Sequence, residues 1–469
     1  MGQTFFFYDL ETSGLNPRSD RIMQFAGIRT DEQFRPLGQA YNALIRLNDD
    51  TLPSPGALMV TGITPQQTVT DGYTEAEFAK LFIEEICTPH TVVLGFNNIR
   101  FDDEFIRALL WRNYYDPYEW SYKDGRSRWD MLDVVRLTRA LRPDGITWPV
   151  VDGVATNKLE LLSQVNGLEH TKAHDALSDV EALVGMTKLI ATKQPQLFDY
   201  LFSMRHKEAV RELAKPHVPF VYASGRYDNE WHKTTVAMAI SEADFGNVYV
   251  YDLRRDPTPW LGKSVRELVE IMATPWSERG DDYQPLPAKK MQPNRAPAVA
   301  PLGVLNHGDG WNRIGLTLQD IEQHRKILLA RPDFIKRLTE ALSTRPQFAA
   351  PPDAEAKLYD GFISEHDRQQ AEHVRRASAT DIATLAPRFK DARLAEMFPR
   401  YKARNFEQVL SADERTNYEA YRRQRLEQQA PGFVRELQRL ARKQLTSHQA
   451  YVLEELKLWF EAIMPVADE

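Results

Sequence analysis

Two carboxylates two positions apart, Asp9 and Glu11, close an apolar and aromatic run that begins at Thr4 and includes Phe5, Phe6, Phe7 and Tyr8. Such a run reads as a buried strand, and residues i and i+2 of a strand share a face. The pair therefore projects together, roughly 7 Å apart at the rise of an extended chain. Carboxylates that close repel unless a cation lies between them, and a divalent metal ion is the simplest such cation. Ser13, Gly14, Leu15, Asn16 and Pro17 follow with turn chemistry, which puts the pair at an open sheet edge.

Further acidic positions occur in matching contexts. The string from Leu94 to Asp103 runs from a strand through Asn97 and Asn98 into a helix, whose Phe101, Phe105 and Leu109 repeat every four residues and face the core. Asp102 lies one position off that stripe, near the helix N-terminus, and Asp103 competes with it; spacing does not separate the two. Further on, Leu177, Val180 and Val184 mark the buried face of a helix that opens near Ala176 and carries Asp179. Residues five apart on a helix differ by about 140° in rotation. His174 meets the site of Asp179 only from the entry loop, where the reading places it. Each of these residues has an ordinary role singly, as a strand-end charge, a helix-terminal charge or a hydrogen-bonded histidine. Four carboxylates and a histidine in these contexts seldom coincide by chance, and together they read as one functional site.

The elements that must position them form an α/β layer structure over residues 1–195. Strands are expected at 4–10, 22–30, 41–46 and 91–96, and helices at 75–86, 103–112, 132–141, 159–165 and 176–191. The first strands are joined by short turns and so pair antiparallel, with later crossovers making the sheet mixed. From 215 the pattern changes to short strands at 218–223, 234–240 and 247–253, a small β barrel or sheet. The proline-rich run 285–301 reads as a long surface loop. After Pro351 and Pro352 the chain reads as helices, including 411–429 and a long stretch 431–463.

At 469 residues the chain exceeds one ordinary core, and two to three domains follow. The formal net charge of −7 argues against nonspecific coating of nucleic acid, although a local cleft of placed cations remains compatible with it. A single cysteine, Cys87, excludes an intramolecular disulfide and a multi-cysteine zinc site, and reads as a small buried apolar residue. No run has the roughly 18 consecutive apolar residues of a membrane span, and no secretory signal opens the chain; the expected location is the cytoplasm.

Asp-Leu-Glu-Thr at 9–12, Asn-x-x-Phe-Asp ending at Asp102, and His-x4-Asp from His174 to Asp179 resemble the motifs of the DEDDh 3′→5′ exonuclease superfamily. Longer strings resemble the bacterial exodeoxyribonuclease I family within it. They include Thr61 to Pro65, Gly95 to Asp103, Arg112 to Tyr118, Ser127 to Asp130, Leu197 to Phe202, Leu358 to Phe362 and Arg404 to Phe406. The likeness covers nearly the whole chain, least in the middle third. It implies a ribonuclease H-like mixed-sheet exonuclease domain at 1–195, a small SH3-like β domain at 196–350 and an all-α C-terminal domain at 351–469. It also implies that Asp9, Glu11, Asp102 and Asp179 hold two Mg²⁺ ions, with Mn²⁺ able to substitute, about 3.5–4 Å apart. His174 would be the general base. The reaction would release nucleoside 5′-monophosphates from the 3′ end of single-stranded DNA, processively, in DNA repair and recombination.

Between Arg100 and Arg142, arginines and lysines interleave with Tyr114, Tyr115, Tyr118, Trp120 and Tyr122, the mixture that holds single strands by phosphate contact and base stacking. Nearly as many acidic residues share the interval, and Trp111, Trp120 and Trp129 could equally be core. By resemblance the DNA contacts are Glu11, Arg107, Tyr118, Tyr122, Arg136, Lys158 and His174; at Tyr122 and Lys158 the family pattern carries Trp and Arg. Lysine cannot copy a bidentate arginine contact. Arg422, Arg423, Arg425, Arg435, Arg439, Arg442 and Lys443 make the C-terminal region basic, which suits solvated helix faces better than a strand path. The resemblance further implies a monomer that docks the acidic, hydrophobic tail of the single-stranded DNA-binding protein. Two rival readings remain: a DEDDh fold acting on RNA or in proofreading, and a binding protein with a silent nuclease fold.

Overall fold

The computed structural model describes residues 2–168, 176–280, 282–344, 351 and 353–465. By compactness the described residues divide into two units, one drawn from 1–127, 170–181 and 349–469, the other from 128–169 and 182–348.

In the first unit the apolar run forms β1 (Thr4–Thr12), followed by β2 (Ile22–Thr30), β3 (Tyr41–Leu44) and β4 (Thr91–Gly95). They lie in the order β3-β2-β1-β4. β1 pairs antiparallel with β2 and parallel with β4, the mixed sheet expected from the short first turns and the later crossover. Phe6, Tyr8 and Leu10 go into a core with Phe25, Phe78, Phe82, Phe105, Ile106 and Leu109. Their alternates Asp9 and Glu11 are only half-buried. Helices α1 (Pro55–Thr61) and α2 (Pro65–Asp71), absent from the sequence reading, precede α3 (Glu75–Leu81). Each of α1 and α2 starts with a capping hydroxyl followed by proline, Ser54-Pro55 and Thr64-Pro65, a start signal too short-ranged to stand out without an amphipathic repeat. The helix α4 (Asp102–Arg112) follows β4.

The C-terminal helices belong to this same unit. Leu426, Phe433, Leu437, Leu440, Val452 and Leu456 share an apolar cluster with Met23, Leu47, Leu52 and Leu58. A second cluster joins Val374, Leu394, Met397 and Tyr401 to Trp111 and Tyr114. The helix Ala412–Ala441 continues through Pro431, where the sequence suggested a break, and the next helix, Ser447–Ile463, starts at a Thr446/Gln449 capping box. Pro431 sits on the exposed face, where water can satisfy the carbonyl that its missing N–H leaves open.

As the chain passes into the second unit it forms β5 (Ser127–Asp130), then a two-residue ladder of β6 (Val150–Val151) with β7 (Val154–Ala155). An antiparallel sheet follows from β8 (Pro219–Ala223), β9 (Thr234–Ala243), β10 (Asn247–Asp252), β11 (Ala288–Met291) and β12 (Val299–Pro301), in the order β11-β10-β9-β8-β12. The proline-rich run is thus not only a loop. It supplies both edge strands, the position where proline's missing donor costs a sheet least. This unit also carries helices at Val265–Ala273, Leu318–Leu329 and Pro332–Ser343, which the strand-dominated reading lacked. Among the described residues no helix is long and apolar enough to cross a membrane. Cys87 is buried and unpaired with any other cysteine, and burial pushes its thiol up to about 12.

Candidate active site

The period of β1 delivers the first two carboxylates. Asp9 and Glu11 stand opposite Ala26 and Gln24 of β2, and the register shifts between Glu11 and Thr12, a bulge at the end of the strand. Bulges of this kind commonly end a ladder beside a functional site. Asp179 comes from the first turn of the helix Ala176–Lys193. Ligand oxygens of Asp9, Glu11 and Asp179 lie within 4.8 Å of one another. The buried stripe of that helix is Ala176, Val180, Leu183, Thr187 and Ile190; Leu177 and Val184, expected on it, are half-buried. Each is one step away from a position that the 3.6-residue repeat buries. His174 lies outside the described residues.

Asp102 and Asp103 differ in their surroundings. Asp103 accepts hydrogen bonds on one oxygen from the Tyr8 hydroxyl at 2.6 Å and from Asn98 Nδ2 at 3.0 Å, on the core side of β1. Asp102 instead acts electrostatically on Asp9. The Asp9 carboxyl is held well above the ordinary aspartate range, by burial first and then by the charges of Asp102 and Asp179. Burial likewise raises the Tyr8 phenol, with Asp103 and Asp102 adding to it, so Tyr8 stays a donor. The three grouped acids, Asp9, Glu11 and Asp179, offer only hard oxygen donors, the chemistry that suits a hard divalent cation; Asp102 is not part of that group and reaches it through its charge on Asp9.

Of the expected strand contacts in this unit, Arg107 and Tyr118 are neighbours. The Arg107 guanidinium lies 5.4 Å from the Tyr118 ring centroid and donates to Glu104 at 3.0 Å. Tyr359 completes the group: its ring is 6.4 Å from that of Tyr118 and its hydroxyl donates to Glu104. Tyr122 is exposed. Much of the cation–aromatic run has structural work instead. Tyr114 and Trp120 are core, Arg112 grips Glu75 at 2.6 Å, and Arg126 donates to the Cys87 carbonyl. In the second unit, Arg139 donates to the carbonyls of Pro149 and Thr156, and Arg142 to those of Leu141 and Val304. Arg136 pairs with Asp133 at 2.6 Å there, and Lys158 is exposed at the start of the helix Leu159–Val165.

Comparison with known proteins places this arrangement. Residues 6–187 match the family model described as exonuclease, 205–344 the exonuclease I SH3-like domain and 352–463 the exonuclease I C-terminal domain. The curated exodeoxyribonuclease I of Haemophilus influenzae is 39% identical over 93% of both chains. The chain belongs to the exodeoxyribonuclease I family. It is accordingly a hydrolytic nuclease. The crystal structure of Escherichia coli exonuclease I in complex with a dA16 oligonucleotide superposes with a TM-score of 0.94 at 35% identity, covering 99% of this chain and 100% of the other. The zinc-bound form of the Escherichia coli exonuclease I–single-stranded DNA complex superposes with the same score, identity and coverage.

Beside the expected strand contacts Arg107 and Tyr118, the exodeoxyribonuclease I fold places Tyr359, a neighbour that the sequence reading did not name. It stands 255 positions from its partner Glu104. The only signal was its place in the string Leu358 to Phe362, where both Tyr359 and Phe362 turn out exposed.

Proposed function

We propose that this exodeoxyribonuclease I relative digests single-stranded DNA from the 3′ end, releasing nucleoside 5′-monophosphates. The observation that carries the reading is the convergence of Asp9, Glu11 and Asp179 within 4.8 Å in a chain of this family. Asp9, Glu11, Asp102 and Asp179 are assigned to two Mg²⁺ ions. Bound there, the ions supply Lewis-acid activation of water and offset charge on the leaving oxygen. His174 takes the proton of the attacking water, an imidazole with an ordinary pKa near 6.5 being suited to this at neutral pH. The water oxygen bonds to phosphorus in line with the departing 3′ oxygen, and that P–O bond breaks. Glu11, Arg107, Tyr118, Tyr122, Arg136, Lys158 and His174 are assigned to the strand, cations to phosphates and rings to bases.

The same reading takes the chain as a cytoplasmic monomer organised as 1–195, 196–350 and 351–469. It works processively in DNA repair and recombination and docks the tail of the single-stranded DNA-binding protein. The test is a time course on 5′-labelled and 3′-labelled single strands with and without Mg²⁺, in the native chain and in Asp9→Ala, Asp179→Ala and His174→Ala. The expected result is a Mg²⁺-dependent ladder shortening from the 3′ end, with loss of about 10²–10⁴ in rate for the histidine variant. Rates near native in all three variants, or nucleotide release without metal, overturn it.

A further inference from the structure

Beneath the acidic cluster lies a buried polar group to which the reaction gives no part. Tyr8, Asn98 and Asp103 are all sealed from solvent. Both the Tyr8 hydroxyl and Asn98 Nδ2 donate to the same Asp103 oxygen, at 2.6 and 3.0 Å. Each member belongs to a different element. Tyr8 precedes Asp9 on β1, Asp103 follows Asp102 in the first turn of α4, and Asn98 starts the 3₁₀ turn Asn98–Arg100 between β4 and α4. Gly95 permits the approach, since a Cβ there would stand 2.7 Å from the Asn98 Cβ and 3.1 Å from the Tyr8 carbonyl oxygen.

The position of this group matters because Asp9 and Asp102 repel each other. Without an attachment between β1 and the first turn of α4, that repulsion would be relieved by moving the helix end away. A metal site tolerates displacements of only about 0.5 Å. We propose that Tyr8, Asn98 and Asp103 form a positioning triad that holds Asp102 against Asp9 and thereby sets the affinity of the site for divalent cations. The inference rests on the assignment of Asp9 and Asp102 as metal ligands. In the triad, Asp103 acts through its neighbour and touches neither ion nor strand.

The test is Mn²⁺ binding to the full chain, followed by the electron paramagnetic resonance signal of free Mn²⁺, together with kcat and KM on a labelled oligonucleotide. Tyr8→Phe removes a single oxygen from a core position and is expected to weaken Mn²⁺ binding about 10–100-fold, the range for losing an outer-shell partner. Its KM for the strand is expected to stay native and its kcat to recover at high Mn²⁺. Asp103→Asn keeps an oxygen able to accept both bonds and is expected to bind Mn²⁺ nearly as the native chain does. Native Mn²⁺ affinity in Tyr8→Phe overturns the triad, as does an Asp103→Asn variant as deficient as Asp9→Ala, which would make Asp103 a ligand. Native affinity in Asp9→Ala is a different result: it removes the metal assignment itself.

Discussion

At the scale of single residues, the proposed assignment of Tyr118 to the strand turns on its neighbours Arg107, Glu104 and Tyr359. Tyr118 presents a ring already flanked by a guanidinium on one side and Tyr359 on another, so its orientation is fixed before any strand arrives. A base that stacks on a pre-oriented ring loses little side-chain freedom in doing so. Tyr118→Ala is therefore expected to weaken binding of a single-stranded oligonucleotide by about 1–3 kcal/mol, while Tyr118→Phe stays near native. Fluorescence anisotropy with metal withheld measures both; unchanged affinity in Tyr118→Ala removes the residue from the strand path. The same scale shows where the sequence was legible. Asp9 and Glu11 follow from a two-residue period alone. Asp102 and Asp103 do not separate by spacing, because adjacent residues at a helix end can each turn toward the sheet. In the structure Asp103 is engaged from the core side by Tyr8 and Asn98, which favours Asp102 for the proposed site. The contact of Tyr359 with Glu104 was beyond reach, since nothing local to it indicates a partner 255 residues away.

At the scale of elements, hydrophobic period located β1 to β4 but not the four-residue β5, and the other misses have specific causes. The proline-rich run 285–301 yields two strands because both lie at sheet edges, where neighbours on one side suffice. Periodicity cannot report edge status. Pro431 suggested a helix end, yet the helix Ala412–Ala441 continues through it, carried by Leu426, Phe433, Leu437 and Leu440 packed on the nuclease part of the first unit. Tertiary burial there outweighs the helix-breaking preference of one proline. That balance can be measured. Pro431→Ala restores the missing N–H at an exposed position and removes the ring from the path of the preceding turn. It is expected to raise stability by up to about 3 kcal/mol, read as a higher urea midpoint. A lowered midpoint would show that the proline is itself required for the packing of Phe433.

At the scale of the whole molecule, charge joins what the sequence keeps far apart within the first unit. Arg21, completely buried, donates to Glu355 at 2.9 Å. Arg404 donates to Glu355 at 2.6 Å and to Asp50 at 3.1 Å. Arg425 and Arg400 both reach Asp353, at 3.1 and 2.6 Å. Arg425, counted in the basic C-terminal region, is thus a half-buried structural cation, and Arg422 pairs with Glu419 at 2.7 Å. Burial alone would raise the carboxyls of Asp50 and Glu355. The surrounding arginines, Arg404 foremost, outweigh it and hold both well below the ordinary range. A carboxyl depressed in the folded state adds stability that is complete above its unfolded pKa, about 4, and drains away as pH falls toward the folded value. Removing one partner from such a buried network costs about 3–5 kcal/mol, because the remaining charges are left uncompensated. Arg404→Met is thus expected to lower the urea midpoint strongly at pH 7, with the gap from the native chain narrowing below about pH 4, where the native carboxylates lose their advantage. A gap of constant size between pH 7 and pH 3 would mean that Arg404 contributes by packing and not by charge. The narrowing follows only if Asp50 and Glu355 are ionised in the folded chain, which the arginines around them require.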